Sequence, residues 1–170
     1  MRVLTTALSF EPAVASGRIG LSALTAEALA QMSAWLAGAL APEWTFEELE
    51  TALASATGVL ISDAEGEAIG MAVVMPDVPA PGCAAVPLIA IDPARRFRGL
   101  GGEAGIALDH HLRASGFERV YAPIPDGRGL AVYFWLRLGF RPLRTPESPG
   151  RLIGLTTGET RAGIWMLRDA

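Results

Sequence analysis

The sequence has no lysine among its 170 residues. That excludes a nucleotide loop of the form G-x-x-x-x-G-K-S/T, whose lysine reaches the terminal phosphates. A single cysteine, Cys83, is too few for an internal disulfide and argues against a thiolate metal site. The two histidines, His110 and His111, are neighbours on a stretch read as helix. Adjacent helical side chains diverge by about 100° and cannot grip one ion, so no metal is expected. Half the residues are apolar, yet no apolar run reaches the eighteen or so residues that span a bilayer, and no membrane contact is expected. A net charge of −4 supplies no cationic face for a nucleic acid. Met1 to Gly17 has the outline of a signal peptide. Its short apolar core is broken by Thr5, Thr6, Ser9, Glu11 and Pro12, so residues 1–17 read as a loose or strand-like leader of a cytoplasmic protein. Residues 18–170 read as one domain.

Against these absences, one stretch concentrates chemistry. Leu88-Ile89-Ala90-Ile91 is an apolar, β-branched run stopped by Asp92-Pro93. Arg95, Arg96 and Arg98 follow, then Gly99, Leu100, Gly101 and Gly102, and a helical pattern runs on to about Gly116. This is a strand, a glycine- and arginine-rich loop and a helix. Glycine lets the backbone approach a ligand closely, and the first free N–H groups of a helix lie at the positive end of its dipole. With the guanidinium groups beside them, these residues suit a pyrophosphate. The dinucleotide fingerprint G-x-G-x-x-G fits only in relaxed form, because Ala104 stands where its last position falls.

Thr25 is placed to cap a helix with Leu29, Met32, Leu36 and Leu40 on one stripe and Trp35 beside it, after a first strand within Arg18–Leu24. Thr45 and Glu48 form a capping-box pattern for a second helix that Gly58 is expected to end. Val59–Ser62 and Ala68–Met75 read as a hairpin around Asp63-Ala64-Glu65-Gly66, and Ala84–Ile91 as the strand entering the loop. After the loop helix, Gly116 is placed to stop it with Phe117 as hydrophobic partner. Arg119–Ala122 then reads as a strand parallel to the one before the helix. Strands at Leu152–Leu155 and Gly163–Leu167 complete the sheet.

The loop closely resembles the coenzyme A loop of the GNAT acetyltransferase superfamily, Q/R-x-x-G-x-G/A after a strand ending Val/Ile-x-Pro. Arg96-Phe97-Arg98-Gly99-Leu100-Gly101 fills it, with Ile91-Asp92-Pro93 ahead. Ala131-Val132-Tyr133-Phe134-Trp135-Leu136-Arg137-Leu138-Gly139-Phe140 is similar to the family's N-x-x-A-x-x-F-Y-x-x-x-G-F. Two positions depart: Arg128 stands where Asn is usual and Trp135 where the family has the tyrosine that acts as general acid. The resemblance implies an α/β (α+β) fold with a mixed, mostly antiparallel sheet, a splayed parallel strand pair and about four helices. It implies acetyl-CoA as co-substrate, with the pantetheine arm along Ile89, Ala90 and Ile91. The pyrophosphate would lie on Arg96, Phe97, Arg98, Gly99, Leu100, Gly101 and Gly102, and Trp135 would stand at the catalytic position.

The implied activity is N-acetyl transfer to a primary amine in a ternary complex. An indole N–H donates a hydrogen bond but gives up no proton near neutral pH, so Trp135 is no replacement acid. Tyr133 lies about 200° around the helix and points elsewhere. Glu43, Glu47, Glu48, Glu147 and Glu159 are the carboxylates on the segments that face the acceptor in this family, and each has a surface or capping role as its plainer reading. Two other readings share the loop: a non-catalytic acyl-CoA sensor of the same fold, and a Rossmann-like nucleotide domain, which the early hairpin opposes. The acceptor is not legible in the sequence, and a homodimer is the assembly left open.

Overall fold

Local signals set most element ends. Thr25 Oγ1 accepts from Ala28 N–H at the start of the first helix, and Thr45 and Glu48 make the reciprocal capping box at the start of the second. In a computed structural model, which describes residues 8–11, 13–40, 44–96, 98–153 and 160–169, the chain runs β1 (Val14–Ser16), β2 (Ile19–Ala23), α1 (Ala26–Leu40), α2 (Phe46–Ala52), β3 (Thr57–Asp63), β4 (Ala68–Pro76), β5 (Cys83–Ile91), a 3-10 turn (Pro93–Arg95), α3 (Leu100–Ala114), β6 (Arg119–Pro125), α4 (Gly129–Arg137), β7 (Arg141–Pro142), β8 (Leu152–Ile153), β9 (Thr160–Arg161) and β10 (Gly163–Arg168).

Eight strands form one sheet in the order β1-β2-β3-β4-β5-β6-β10-β7. Every neighbouring pair is antiparallel except β5 and β6, which are parallel. This is the mixed sheet with one parallel pair and four helices that the resemblance implies. The alternation of β4 sorts its two faces. Met71 and Val73 point with Leu88 and Ala90 into a cluster under α1 and α2, while Ala72 and Val74 join Leu100, Ala104, Leu108 and Leu112 of α3.

Two helices stop by the same device. Gly116 (φ 100°) follows α3, with Phe117 N–H bonded to Leu112 O; Gly139 (φ 88°) follows α4, with Phe140 N–H bonded to Trp135 O. In this motif the residue after the glycine packs on the one whose carbonyl it caps. The Trp135 and Phe140 rings lie 4.7 Å apart, so the helix stop itself draws Trp135 into the core.

Several expectations are revised. Gly58 does not end α2; it lies inside β3, with the space of its missing side chain taken by Leu24. Part of the leader is built into the fold: β1 pairs with β2, Phe10 is buried, and His111 Nε2 lies 2.7 Å from Ser9 O. β8 pairs with β9 and not with the main sheet, and residues 154–159 of the expected last hairpin lie outside the described residues. On α3, Asp109 is buried between Arg113 and Arg168, tying the helix to β10.

Candidate active site

The site begins at a fault in β5. Residues Ala85 to Leu88 span three steps where the facing Val73 to Met75 of β4 span two, so β5 carries one extra residue. Side-chain facing changes phase across it: Ala84 and Val86 point to α3, but Leu88 and Ala90 point to α1 and α2. Pro87 sits in this bulge and has no N–H to give a ladder. Pairing of β5 with β6 runs through Cys83, Ala84 and Ala85 and goes no further along β5. Beyond that point the β6-facing edge of β5 has no ladder partner among the described residues.

The backbone of β5 is exposed to the gap with a defined polarity. Asp92 N–H donates to Ile69 O of β4 at 2.8 Å. In a planar trans peptide the preceding carbonyl points the opposite way, so Ile91 C=O faces away from β4. Strand alternation then turns the polar groups of Ile89 the same way and those of Ala90 toward β4. Among the three expected backbone contacts, Ile89 and Ile91 therefore face the gap and Ala90 does not.

At the mouth of the gap, Arg96 Nε donates to Ile91 O at 3.2 Å, so its guanidinium is held at the end of β5. Arg98 is exposed, and Phe97 lies outside the described residues. Arg95 departs from the expected cluster: it turns back to Asp63 and Glu67 of the β3–β4 hairpin at 3.1 and 2.7 Å. Backbone N–H donors near Asp63, chiefly from Glu67, hold its carboxyl below the usual carboxylate value, and Arg95 adds to this.

The glycines divide their work. Gly99 adopts φ 77° and forms the N-cap of α3, a conformation that a side chain would strain. A Cβ on Gly101 would touch Ile91 and Phe134 at 3.5 and 3.6 Å, and one on Gly105 would come within 2.5 Å of Leu138. The contacts at Gly101 are ordinary packing distances, whereas a side chain on Gly105 would displace the Leu138 tip. Leu100 is buried and Gly102 half-buried, and their N–H groups belong to the open first turn of α3.

A pocket of about 430 Å³ opens beside this mouth, between the second half of α1 and the ends of β5 and β6. Trp35, Gly38, Pro93, Arg96 and Arg128 line it, a size in the range of small-ligand sites. Arg128 Nη2 also reaches Leu40 O at 3.4 Å, linking the start of α4 to the end of α1.

Trp135 is 6% exposed, between the rings of Phe134 and Phe140 in the cluster under α3. Tyr133 is 60% exposed, with Arg137 over its ring at 5.9 Å. Of the candidate carboxylates, Glu48 is held by the capping box, Glu147 by Arg141 at 2.8 Å, and Glu47 is exposed; Glu43 and Glu159 lie outside the described residues. Among the described residues no three His, Cys, Asp or Glu gather as metal ligands.

Arg18 and Glu103 belong to no sequence motif, yet they meet beside the loop. Arg18 Nε donates to Glu103 Oε1 at 2.6 Å, Arg18 N–H to Oε2 at 3.1 Å, and Arg18 Nη2 to Arg98 O at 2.9 Å. Hydrogen bonds from Arg18 hold the Glu103 carboxyl below its usual value. The one local signal was an acid in the first turn of a helix whose start is expected to hold an anion.

A model of the Acetyltransferase (GNAT) family matches residues 26–140, which contain the whole of this site except Arg18. No curated protein matches the sequence. Solved structures share the fold at low identity. A GNAT family acetyltransferase from Elizabethkingia anophelis with acetyl-CoA bound has a TM-score of 0.66 at 16% identity, covering 91% of this chain and 100% of its own. The ribosomal-protein-S18-alanine N-acetyltransferase from Escherichia coli gives 0.63 at 19%, covering 88% and 92%. An IAA acetyltransferase from Bacillus cereus gives 0.64 at 14%, covering 89% and 99%.

Proposed function

The chain belongs to the acetyltransferase (GNAT) family, and from that premise we propose that it moves an acetyl group from acetyl-CoA to a primary amine by direct transfer in a ternary complex. The observation that carries the reading is the end of β5–β6 pairing at Ala85, which leaves a polar strand edge at Ile89 and Ile91 that leads to the glycine turn of α3. The pantetheine arm of acetyl-CoA, an amide chain, suits the backbone donors and acceptors of that edge. Its pyrophosphate suits the N–H groups of Leu100 to Gly102 together with Arg96 and Arg98.

In this reaction the amine nitrogen bonds to the thioester carbonyl carbon and the carbon–sulfur bond breaks. The thiolate leaves and the nitrogen loses its extra proton to water. A thiol of pKa about 8.5 departs without full protonation by the enzyme. Rate then comes from holding the two reactants in line and from backbone N–H groups aimed at the carbonyl oxygen. Trp135, packed into the core, takes no proton-transfer role in this scheme. We place the reaction in the cytoplasm.

The buried indole at the tyrosine position also favours a second reading, a domain that binds acyl-CoA and transfers nothing. Isothermal titration with acetyl-CoA, coenzyme A, ATP and NADH, followed by thiol release against an amine panel, separates the two. The transferase reading expects selective acetyl-CoA binding and amine-dependent thiol release. Binding without release from any amine moves the weight to the sensor, and failure to bind acetyl-CoA removes both.

A further inference from the structure

We propose that Arg18 is a positioning residue for the pyrophosphate loop, orienting the Gly99 amide toward the ligand and neutralising the Glu103 carboxylate beside it. The inference rests on the acetyl-CoA reading above, but its residues lie in the β1–β2 turn and in α3, away from the reacting atoms.

Two pieces of geometry carry it. Arg18 Nη2 holds the Arg98 carbonyl oxygen at 2.9 Å, on the side of the loop that faces the β1–β2 turn. In a planar trans peptide the next N–H points the opposite way, so this bond fixes the Gly99 N–H away from Arg18. Gly99 is the N-cap of α3, so that N–H lies next to the first free donors of the helix. Without the clamp, a glycine at φ 77° flanked by an exposed arginine leaves the 98–99 peptide able to turn over.

The second piece is electrostatic. Glu103 places a carboxylate in the first turn of the helix whose start would receive two or more negative charges. Such a charge repels a pyrophosphate unless it is cancelled. Arg18 cancels it with its own guanidinium and adds its backbone N–H, and Gly17 (φ 58°) leaves room for the carboxylate against the turn. Arg18 thus gives a residue 85 positions away an orientation compatible with the ligand. Its side chain is 56% exposed, so its removal empties no core.

The test is isothermal titration of wild type, Arg18→Ala, Arg18→Lys and the Arg18→Ala/Glu103→Gln double variant. Each is titrated with acetyl-CoA and with S-acetylpantetheine, which keeps the thioester and the arm but has no pyrophosphate. The expected result is that the preference for acetyl-CoA over S-acetylpantetheine falls about tenfold in Arg18→Ala. Arg18→Lys, which keeps the charge but cannot bridge carboxylate and carbonyl as a planar fork, recovers part of it. The double variant, with no carboxylate left to repel the ligand, also recovers part. Equal losses for the two ligands would assign Arg18 a general structural role and overturn the proposal, as would an unchanged preference. Wild type that fails to bind acetyl-CoA would instead remove the parent reading, and the proposal with it.

Discussion

Trp135 stands where the family's motif has a proton donor, yet its place in the molecule follows from the stop of α4. Gly139 turns the chain, Phe140 N–H caps the Trp135 carbonyl, and the two rings meet at 4.7 Å. Restoring a tyrosine there is expected to leave a partial cavity and bring a hydroxyl into an apolar cluster, lowering stability by about 2 kcal/mol. Urea denaturation of Trp135→Tyr measures this, and kcat for acetyl transfer is expected not to rise. An increase of a hundredfold or so, the size of an acid-catalytic gain, would mean that the phenol reaches the leaving thiolate. At the same scale, Arg95 was grouped by sequence with Arg96 and Arg98, and nothing local distinguishes it from them. Its partners Asp63 and Glu67 are 32 and 28 residues away, so its assignment depended on a hairpin docking that a linear reading does not contain.

Among the elements, β5 and its neighbour β4 set the geometry of the opening. Gly70 faces Ile91 across that ladder, and a Cβ there would fall inside contact distance of the Ala90 carbonyl oxygen and close to Ile91. Backbone cannot rotate aside as a side-chain tip can. Gly70→Ala is therefore expected to cost about 2 kcal/mol by overpacking and to displace the end of β5 that faces the gap. Denaturant midpoints report the first effect and a raised KM for acetyl-CoA the second. The elements themselves were largely legible, because many carry their own signal: the capping box at Thr45 and Glu48, the turn at Asp63–Gly66, and the glycine stop at 116. β1 was less so, since three residues with two exposed side chains have no periodicity to read and are held by pairing with β2. The bulge was visible in principle, as a proline at 87 inside an otherwise apolar strand is a ladder fault. Only the pairing with β6 shows that the fault is where the sheet opens.

At the scale of the whole molecule, two carboxylates contribute to acid sensitivity. Asp63 and Glu103 both have carboxyls held below their ordinary values of 3.8 and 4.5, Asp63 chiefly by backbone N–H donors with Arg95, and Glu103 by Arg18. Depressed folded-state values mean that the unfolded chain takes up protons first. The stability they contribute is fully present above about pH 5 and is lost as pH falls through the depressed values. Thermal unfolding between pH 7 and 3 is expected to show a falling acid limb, flatter in Asp63→Asn/Glu103→Gln, whose side chains do not titrate. Asp63 is held chiefly within its own turn, which the sequence shows, whereas Glu103 depends on an arginine 85 positions away, which it does not.

The short β5–β6 ladder also bears on how the protein comes apart. One block of the sheet, β1 to β5, meets the other, β6 with β10 and β7, through three residue pairs near Cys83. α3 and one apolar cluster pack across both blocks, so the ladder seam is where a difference would arise: amide hydrogens on its two sides are expected to exchange at distinct rates. A ligand that bonds to both banks acts as a rivet, and the two rates should converge when it is bound.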